Sequence, residues 1–221
     1  MDKSVNRKFV ASYSGGKDSA LALHRAIRAG YEPLALITTF NEMKSENWFH
    51  GLDDNLLEKI SDSMNIPVWK VITDGSDYTE RFVDALIKAR GLGAEICVFG
   101  DIFIEEHFRW CDNICRRAGI ISKFPLAGED TRVLMKEFVD EGFKGNITIV
   151  DLKKLDATYL GKVINEELLV DLEKLNVDIC GEYGEYHTFV SDGPIFLKPI
   201  EFRYGEVDFE EEVYAKLPII I

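Results

Sequence analysis

Residues 8–19, KFVASYSGGKDS, constrain this chain more than any other stretch. The apolar run from Lys8 to Tyr13 reads as a buried strand, and it stops at Ser14-Gly15-Gly16-Lys17-Asp18-Ser19. A helical pattern starts at once, with Ala20, Leu21, Leu23, His24, Ala26 and Ile27 recurring on one face. Gly15 and Gly16 carry no Cβ, so backbone N–H groups there can approach anionic oxygens closely. The first turn of the helix points further unpaired N–H groups at the same place. Lys17 adds a cation, and Ser14 and Ser19 add hydroxyl donors. An ordinary tight turn with a serine cap is the bland alternative. The complete six-residue string after an apolar strand favours a phosphate site instead. It is neither G-x-x-x-x-G-K-[ST] nor G-x-G-x-x-G.

The pattern around this run predicts alternating strands and helices. Strands are expected at 9–13, 33–40, 67–72, 95–99 and, briefly, 120–124. Helices are expected at 17–29, 53–64, 78–90 and 105–118, with Gly30 ending the first. Short apolar strands alternating with helices imply an α/β fold, a doubly wound parallel sheet covered on both faces. Ligands of such sheets sit at the carboxyl ends of the strands. The turn at 14–19, Thr38-Thr39 and Gly100-Asp101 are therefore expected around one crevice. After Pro125 the pattern changes. A helix at 129–141, a strand at 147–152 and a helix at 165–175 precede a Gly-rich loop at 180–186. Extended segments at 187–190, 195–204 and 207–214 follow, and the apolar tail from Leu217 packs as a final strand. The expected division is a first domain at 1–127 and a smaller α+β domain at 128–221 that closes over the crevice.

The charge balance narrows the partners. The 221 residues carry a formal net charge of −13, which disfavours nucleic acid because phosphate contacts need cations. Nothing approaches the length of a membrane span. The polar N-terminus lacks the apolar core of a signal peptide. Cys97, Cys111, Cys115 and Cys180 do not form a disulfide or zinc pattern, so a reduced, cytoplasmic enzyme is expected. Cys111 and Cys115 share a helix face and read as small buried residues.

Three clusters beyond the turn carry possible chemistry. Gly100-Asp101 stands where a buried strand stops, so Asp101 would hold Mg²⁺ through water, orient the nucleotide, or simply cap the next helix. The run Cys180-Gly181-Glu182-Tyr183-Gly184-Glu185-Tyr186-His187 packs carboxylates and an imidazole onto a flexible loop, as sites often do. An acidic, solvated turn is the alternative. Trp48-Phe49-His50-Gly51 would line a pocket or simply pin down its loop. His107, early in a helix near the strand ends, is a weaker candidate.

SGGKDS resembles the PP-loop of the ATP pyrophosphatases, enzymes that cleave ATP between the α- and β-phosphates. With FHG at 49–51, VFGDIF at 98–103 and GEYGEYHTFVSDGPIF at 181–196, the chain resembles the diphthine–ammonia ligase family within them. The resemblance implies an adenine-nucleotide alpha hydrolase-like (HUP) fold. It implies ATP and Mg²⁺ as cofactors, with nucleotide on Ser12, Ser14, Gly15, Gly16, Lys17, Asp18, Ser19 and Gly100, and adenine against Ile37 and Thr38. It implies an amide ligase that adenylates the carboxylate of diphthine, a modified histidine on elongation factor 2, before ammonia displaces AMP. Lys17 would stabilise transition-state charge, Asp101, Glu182 or Glu185 would take the proton from ammonium, and His187 would orient the acceptor. The competing expectations are a PP-loop tRNA-modifying enzyme and a nucleotide-binding sensor that does not turn ATP over.

Overall fold

A computed structural model describes residues 7–41, 43, 46–47, 51–210 and 213–221. In chain order the first half runs β1 (Lys8–Ser12), α1 (Lys17–Arg28), β2 (Glu32–Asn41), β3 (Glu46–Asn47), α2 (Asp54–Met64), β4 (Val68–Thr73), α3 (Tyr78–Gly91), β5 (Ala94–Val98), α4 (Glu105–Ala118) and β6 (Ile121–Lys123). The second half runs α5 (Thr131–Asp140), β7 (Lys144–Asp151), a 3-10 turn (Ala157–Tyr159), α6 (Glu166–Glu173), β8 (Tyr186–Asp192), β9 (Arg203–Tyr204), β10 (Asp208–Glu210), β11 (Tyr214–Lys216) and β12 (Ile219–Ile220).

The first sheet is parallel apart from β3. β1 lies between β2 and β5, β4 flanks β2, and β6 flanks β5. The chain thus winds outward from β1 in one direction through β2 and β4, then in the other through β5 and β6. The order reverses between β1 and β5, and such a switch point leaves a crevice at the strand ends. Both faces are covered. Phe9, Ala11 and Leu36 pack towards α1 and α2, while Val10, Ala35, Ile37 and Cys97 pack towards α3 and α4. Burial on both sides is why these strands read as unbroken apolar runs. The two-residue β3, which the sequence pattern missed, pairs with β2 at Phe40 and Asn41 beyond the last β1–β2 pair, Ser12–Ile37.

The second sheet is antiparallel, in the order β10-β11-β7-β8. One continuous apolar core holds Phe9, Leu23 and Leu56 of the first half together with Phe138, Val150, Phe189 and Ala215 of the second. Polar contacts reinforce this join: the Arg25 guanidinium on α1 pairs with Glu129 and Glu137, and the Val190 N–H donates to the Gly15 carbonyl at 2.9 Å.

Two expectations for the second half need correction. Of the segment 195–204, only Arg203 and Tyr204 form a strand, and they pair with β12. The remainder is an irregular strap tied by Leu197 N–H to the Ser63 carbonyl and by Ile200 N–H to the Ser191 carbonyl. Pro194 and Pro199 lack donors for a ladder. The segment 207–214 is not one strand but most of the β10–β11 hairpin, in which Glu210 meets Lys216 at 2.6 Å. The expected aromatic loop at Trp48, Phe49 and His50 lies outside the described residues. All four cysteines are free and buried, and no helix among the described residues is long and apolar enough to cross a membrane.

Candidate active site

The turn after β1 is built so that glycine is required at Gly15. Its φ of +90° lies where side chains are disfavoured, and a Cβ would stand 2.4 Å from Leu52 Cδ1. Leu52 is held there by Asn47, whose Oδ1 accepts from the Leu52 N–H and whose Nδ2 donates to the Ser14 carbonyl at 2.9 Å. Gly16 caps α1 without a side chain of its own, and the Lys17 N–H of the first turn donates instead to Thr188 Oγ1. The Gly16 N–H donates to Ser14 Oγ, Ser19 Oγ donates to the Gly16 carbonyl at 2.9 Å, and the two serine hydroxyls stand 3.3 Å apart. The turn therefore fixes its own shape before any ligand arrives.

Gly100 brings the end of β5 against this helix. A Cβ there would lie 2.9 Å from both the Asp18 carbonyl carbon and the Ser19 nitrogen. The resulting crevice, about 230 Å³, is lined by Ser12, Ser14, Asp18, Ser19, Gly100, Asp101, Ile104, His107 and Glu182. A larger depression of about 660 Å³ lies between α2 and the C-terminal strand and contains none of the turn residues. The smaller one brings the turn residues together with Asp101 and Glu182.

Asp101 does not cap α4, whose N-cap is Ile104. Its Oδ1 instead meets His107 Nδ1 at 3.0 Å. Burial raises the Asp101 carboxyl above the ordinary aspartate range, and His107 opposes that rise. Glu182 reaches the crevice from the loop before β8, where its Oε1 accepts a long hydrogen bond from the Ile102 N–H at 3.4 Å. Burial first, and then the negative charge of Asp18, push the Glu182 carboxyl up to about 7.

The other expected residues are placed differently. Glu185, only 4% exposed, turns into its own loop and accepts from the Tyr183 N–H at 3.0 Å and the Asp178 N–H at 3.4 Å. It does not line the crevice. His187 is turned away as well. Tyr186 and Thr188 face α1, the first beneath the Lys17 ammonium at 5.3 Å and the second accepting from the Lys17 N–H at 3.1 Å. Alternation along β8 then sends His187 to the opposite face. Burial, with Lys17 and Lys216 adding to it, lowers its imidazole to about 4, so it is neutral at pH 7. The Lys17 side chain is buried and bonded to Asp18 Oδ2 at 2.7 Å rather than reaching into the open crevice. Burial alone would lower its pKa, but the Asp18 carboxylate outweighs that and keeps the ammonium charged. Ile37 is fully buried between the sheet and its helices, and Thr38 is also buried, so neither side chain lines the crevice. His107 is the lining residue that sequence reasoning undervalued. Its signal was its place in the first turn of the helix that follows Gly100-Asp101.

Residues 7–122 match the diphthamide synthase N-terminal domain, and residues 130–217 match the diphthamide synthase C-terminal domain. Diphthine–ammonia ligase of Homo sapiens is 26% identical over 226 residues, spanning 90% of this chain and 84% of that protein. The Schizosaccharomyces pombe diphthine–ammonia ligase is also 26% identical, across 90% of this chain but 37% of its own length. Among solved structures, a predicted subunit of tRNA methyltransferase from Methanocaldococcus jannaschii aligns with a TM-score of 0.45 and 16% identity, over 87% of this chain and 100% of that one. A likeness at that level carries no argument about function.

Proposed function

The chain belongs to the diphthamide synthase family and is a ligase of that family, and from this premise we propose that it adenylates a carboxylate and converts it to an amide with ammonia. The observation that carries the reading is the shared crevice. Ser14, Asp18 and Ser19 of the phosphate turn line the same small space as Asp101 and Glu182. ATP would lay its phosphates on the turn, with the α-phosphate at the first turn of α1. An acceptor carboxylate oxygen attacks the α-phosphorus, the bond to the β-phosphate oxygen breaks, and pyrophosphate leaves. Ammonia then attacks the acyl carbon, and AMP departs. The turn and the Gly100 backbone would hold the reacting phosphate in place, with the buried Lys17 ammonium adding its field from outside the crevice, and positioning and charge are where most of the rate of such a transfer arises.

Mg²⁺ fits this crevice as a companion of the nucleotide. No group of three or more His, Cys, Asp or Glu side chains among the described residues is arranged to hold a metal alone. Mg²⁺ commonly uses one or two carboxylates and completes its shell with phosphate oxygens and water. Asp101, with Asp18 facing the same space, would hold it. Bound there, it would neutralise charge on the phosphates.

Ammonium must lose a proton before it can attack. Glu182, poised at about 7, is matched to that task at neutral pH. Glu185 and His187 drop out of the proposed catalytic set because neither side chain lines the crevice. Membership of the family supports diphthine, on elongation factor 2, as the acceptor of the proposed reaction. Product chromatography tests the reaction class. With ATP, Mg²⁺, ammonium and diphthine-bearing elongation factor 2, AMP and pyrophosphate should form in step with the amide. ADP and orthophosphate as the main products would overturn it.

A further inference from the structure

The larger depression, about 660 Å³, has the size of a small-molecule site and stands apart from the crevice. Its walls come from α2, from the strap and from β9 and β12. Three cations converge on it: Lys59 from α2, Lys198 from the strap and Arg203 from β9. None of the three forms an ion pair with another described residue. Elsewhere Arg25, Arg132 and Lys216 each have a carboxylate partner. Glu201 is the acidic side chain of the lining, so the depression is locally cationic in a chain whose net charge is −13. Ser63, only 2% exposed, adds a polar group: its carbonyl is taken by the Leu197 N–H at 2.7 Å, while its hydroxyl has no partner among the described residues.

The same depression has an apolar wall of Ile200, Phe202 and Ile220. Phe202 stands edge-on against Phe189 of β8, with ring centroids 5.5 Å apart, and the Ile200 N–H donates to the Ser191 carbonyl of that strand at 2.8 Å. The wall is therefore fixed before a ligand arrives. Charge and size select the occupant. A lone carboxylate answers one cation. A phosphomonoester brings about −1.5 to −2 charges and three acceptor oxygens, which suit a guanidinium fork, two ammonium groups and a hydroxyl. An acidic membrane or a nucleic acid would set a long run of negative charge against a protein that is itself at −13, whereas a small anion meets only the local field. We propose that this depression binds a small soluble phosphomonoester, its phosphate among Lys59, Lys198, Arg203 and the Ser63 hydroxyl and its apolar body against Ile200, Phe202 and Ile220. The site does not depend on the ligase reading above.

Binding can be read residue by residue without turnover. Phenyl phosphate, benzyl alcohol and inorganic phosphate are each titrated into the ¹⁵N-labelled protein. Phenyl phosphate should shift the backbone amide signals of Ser63, Phe202 and Arg203 together and saturably. Benzyl alcohol lacks the charge and inorganic phosphate lacks the ring, so each should bind at least about threefold more weakly. Lys198→Ala and Arg203→Ala change exposed side chains, and each should weaken phenyl phosphate by about two- to fivefold. Glu201→Gln removes the opposing charge and should tighten it by about twofold. Equal binding of the three probes, an affinity that Lys198→Ala and Arg203→Ala leave unchanged, or shifts confined to residues 14–19 would overturn the proposal. Phosphatidylcholine vesicles containing phosphatidic acid should leave the protein in the supernatant. Co-sedimentation that Lys198→Ala abolishes would make the phosphate a lipid headgroup and overturn the assignment to a soluble ligand.

Discussion

The phosphate turn and the acidic loop face each other across the crevice, and they are built on opposite principles. From Ser14 to Ser19 the turn presents backbone. Its serines bond to one another and to Gly16, Gly15 is wedged over Leu52, and its cation is buried against Asp18. The loop from Gly181 to Tyr186 spends one carboxylate, Glu185, on its own N–H groups so that another, Glu182, can be presented. Of the two carboxylates, the one that stabilises the loop is the less exposed, and the one offered for chemistry is pushed towards neutrality. In the proposed reaction, binding rests on geometry on one side and proton transfer on a single side chain on the other.

Glu182→Gln should break the loop side with the largest effect. Loss of a positioned proton acceptor lowers turnover by about 10² to 10⁴, and calorimetry should find ATP affinity unchanged. In the unaltered enzyme, activity should rise with pH through about 7, because the base form is the ionised carboxylate and its pKa is held near that value. A profile flat from pH 6 to 8 would remove Glu182 from that role. Lys17→Ala comes next, with about 10²-fold lower turnover if its charge acts on the transition state, by analogy with losing one oxyanion donor. Steady-state kinetics at saturating ATP measures it.

Gly100→Ala probes the geometric side. The added methyl meets the α1 backbone at 2.9 Å, so the β5 end must shift. Overpacking of this kind costs about 1–3 kcal/mol, and if that cost falls on the nucleotide-bound state, ATP affinity should weaken by a factor of about 5 to 150. Glu185→Gln should have the smallest effect on chemistry. One of its two accepting oxygens becomes an NH₂ facing a backbone N–H, so stability should fall by about 1–3 kcal/mol in denaturant unfolding. Amidation per folded molecule should stay within about threefold, since Glu185 touches no reacting group. If the two glutamine variants exchange these effects, the assignment within the loop is reversed.

How much of this was legible in the sequence varies along the chain. The parallel strands were plain because burial on both faces leaves unbroken apolar runs such as Phe9-Val10-Ala11. Gly15, Gly16 and Gly100-Asp101 were legible because close backbone approach leaves glycine as its mark. The strap was not, since Ile195, Phe196 and Leu197 look like strand residues while their N–H partners, including the Ser63 carbonyl, lie in distant elements. His187 illustrates the limit. Alternation separates it from Tyr186 and Thr188 in the sequence, but which face of β8 meets the turn was decided by the Lys17–Thr188 contact. Likewise Glu182 and Glu185 are chemically alike as text, and only folding makes one a lining group and the other a strut.

The account turns on a covalent link between acceptor and nucleotide in this crevice. Elongation factor 2 carrying diphthine labelled with ¹⁸O in its carboxylate tests that link directly, by mass spectrometry of the AMP formed in one turnover. Adenylation transfers one labelled oxygen to the phosphate of AMP. Unlabelled AMP, or label found in orthophosphate instead, would contradict it.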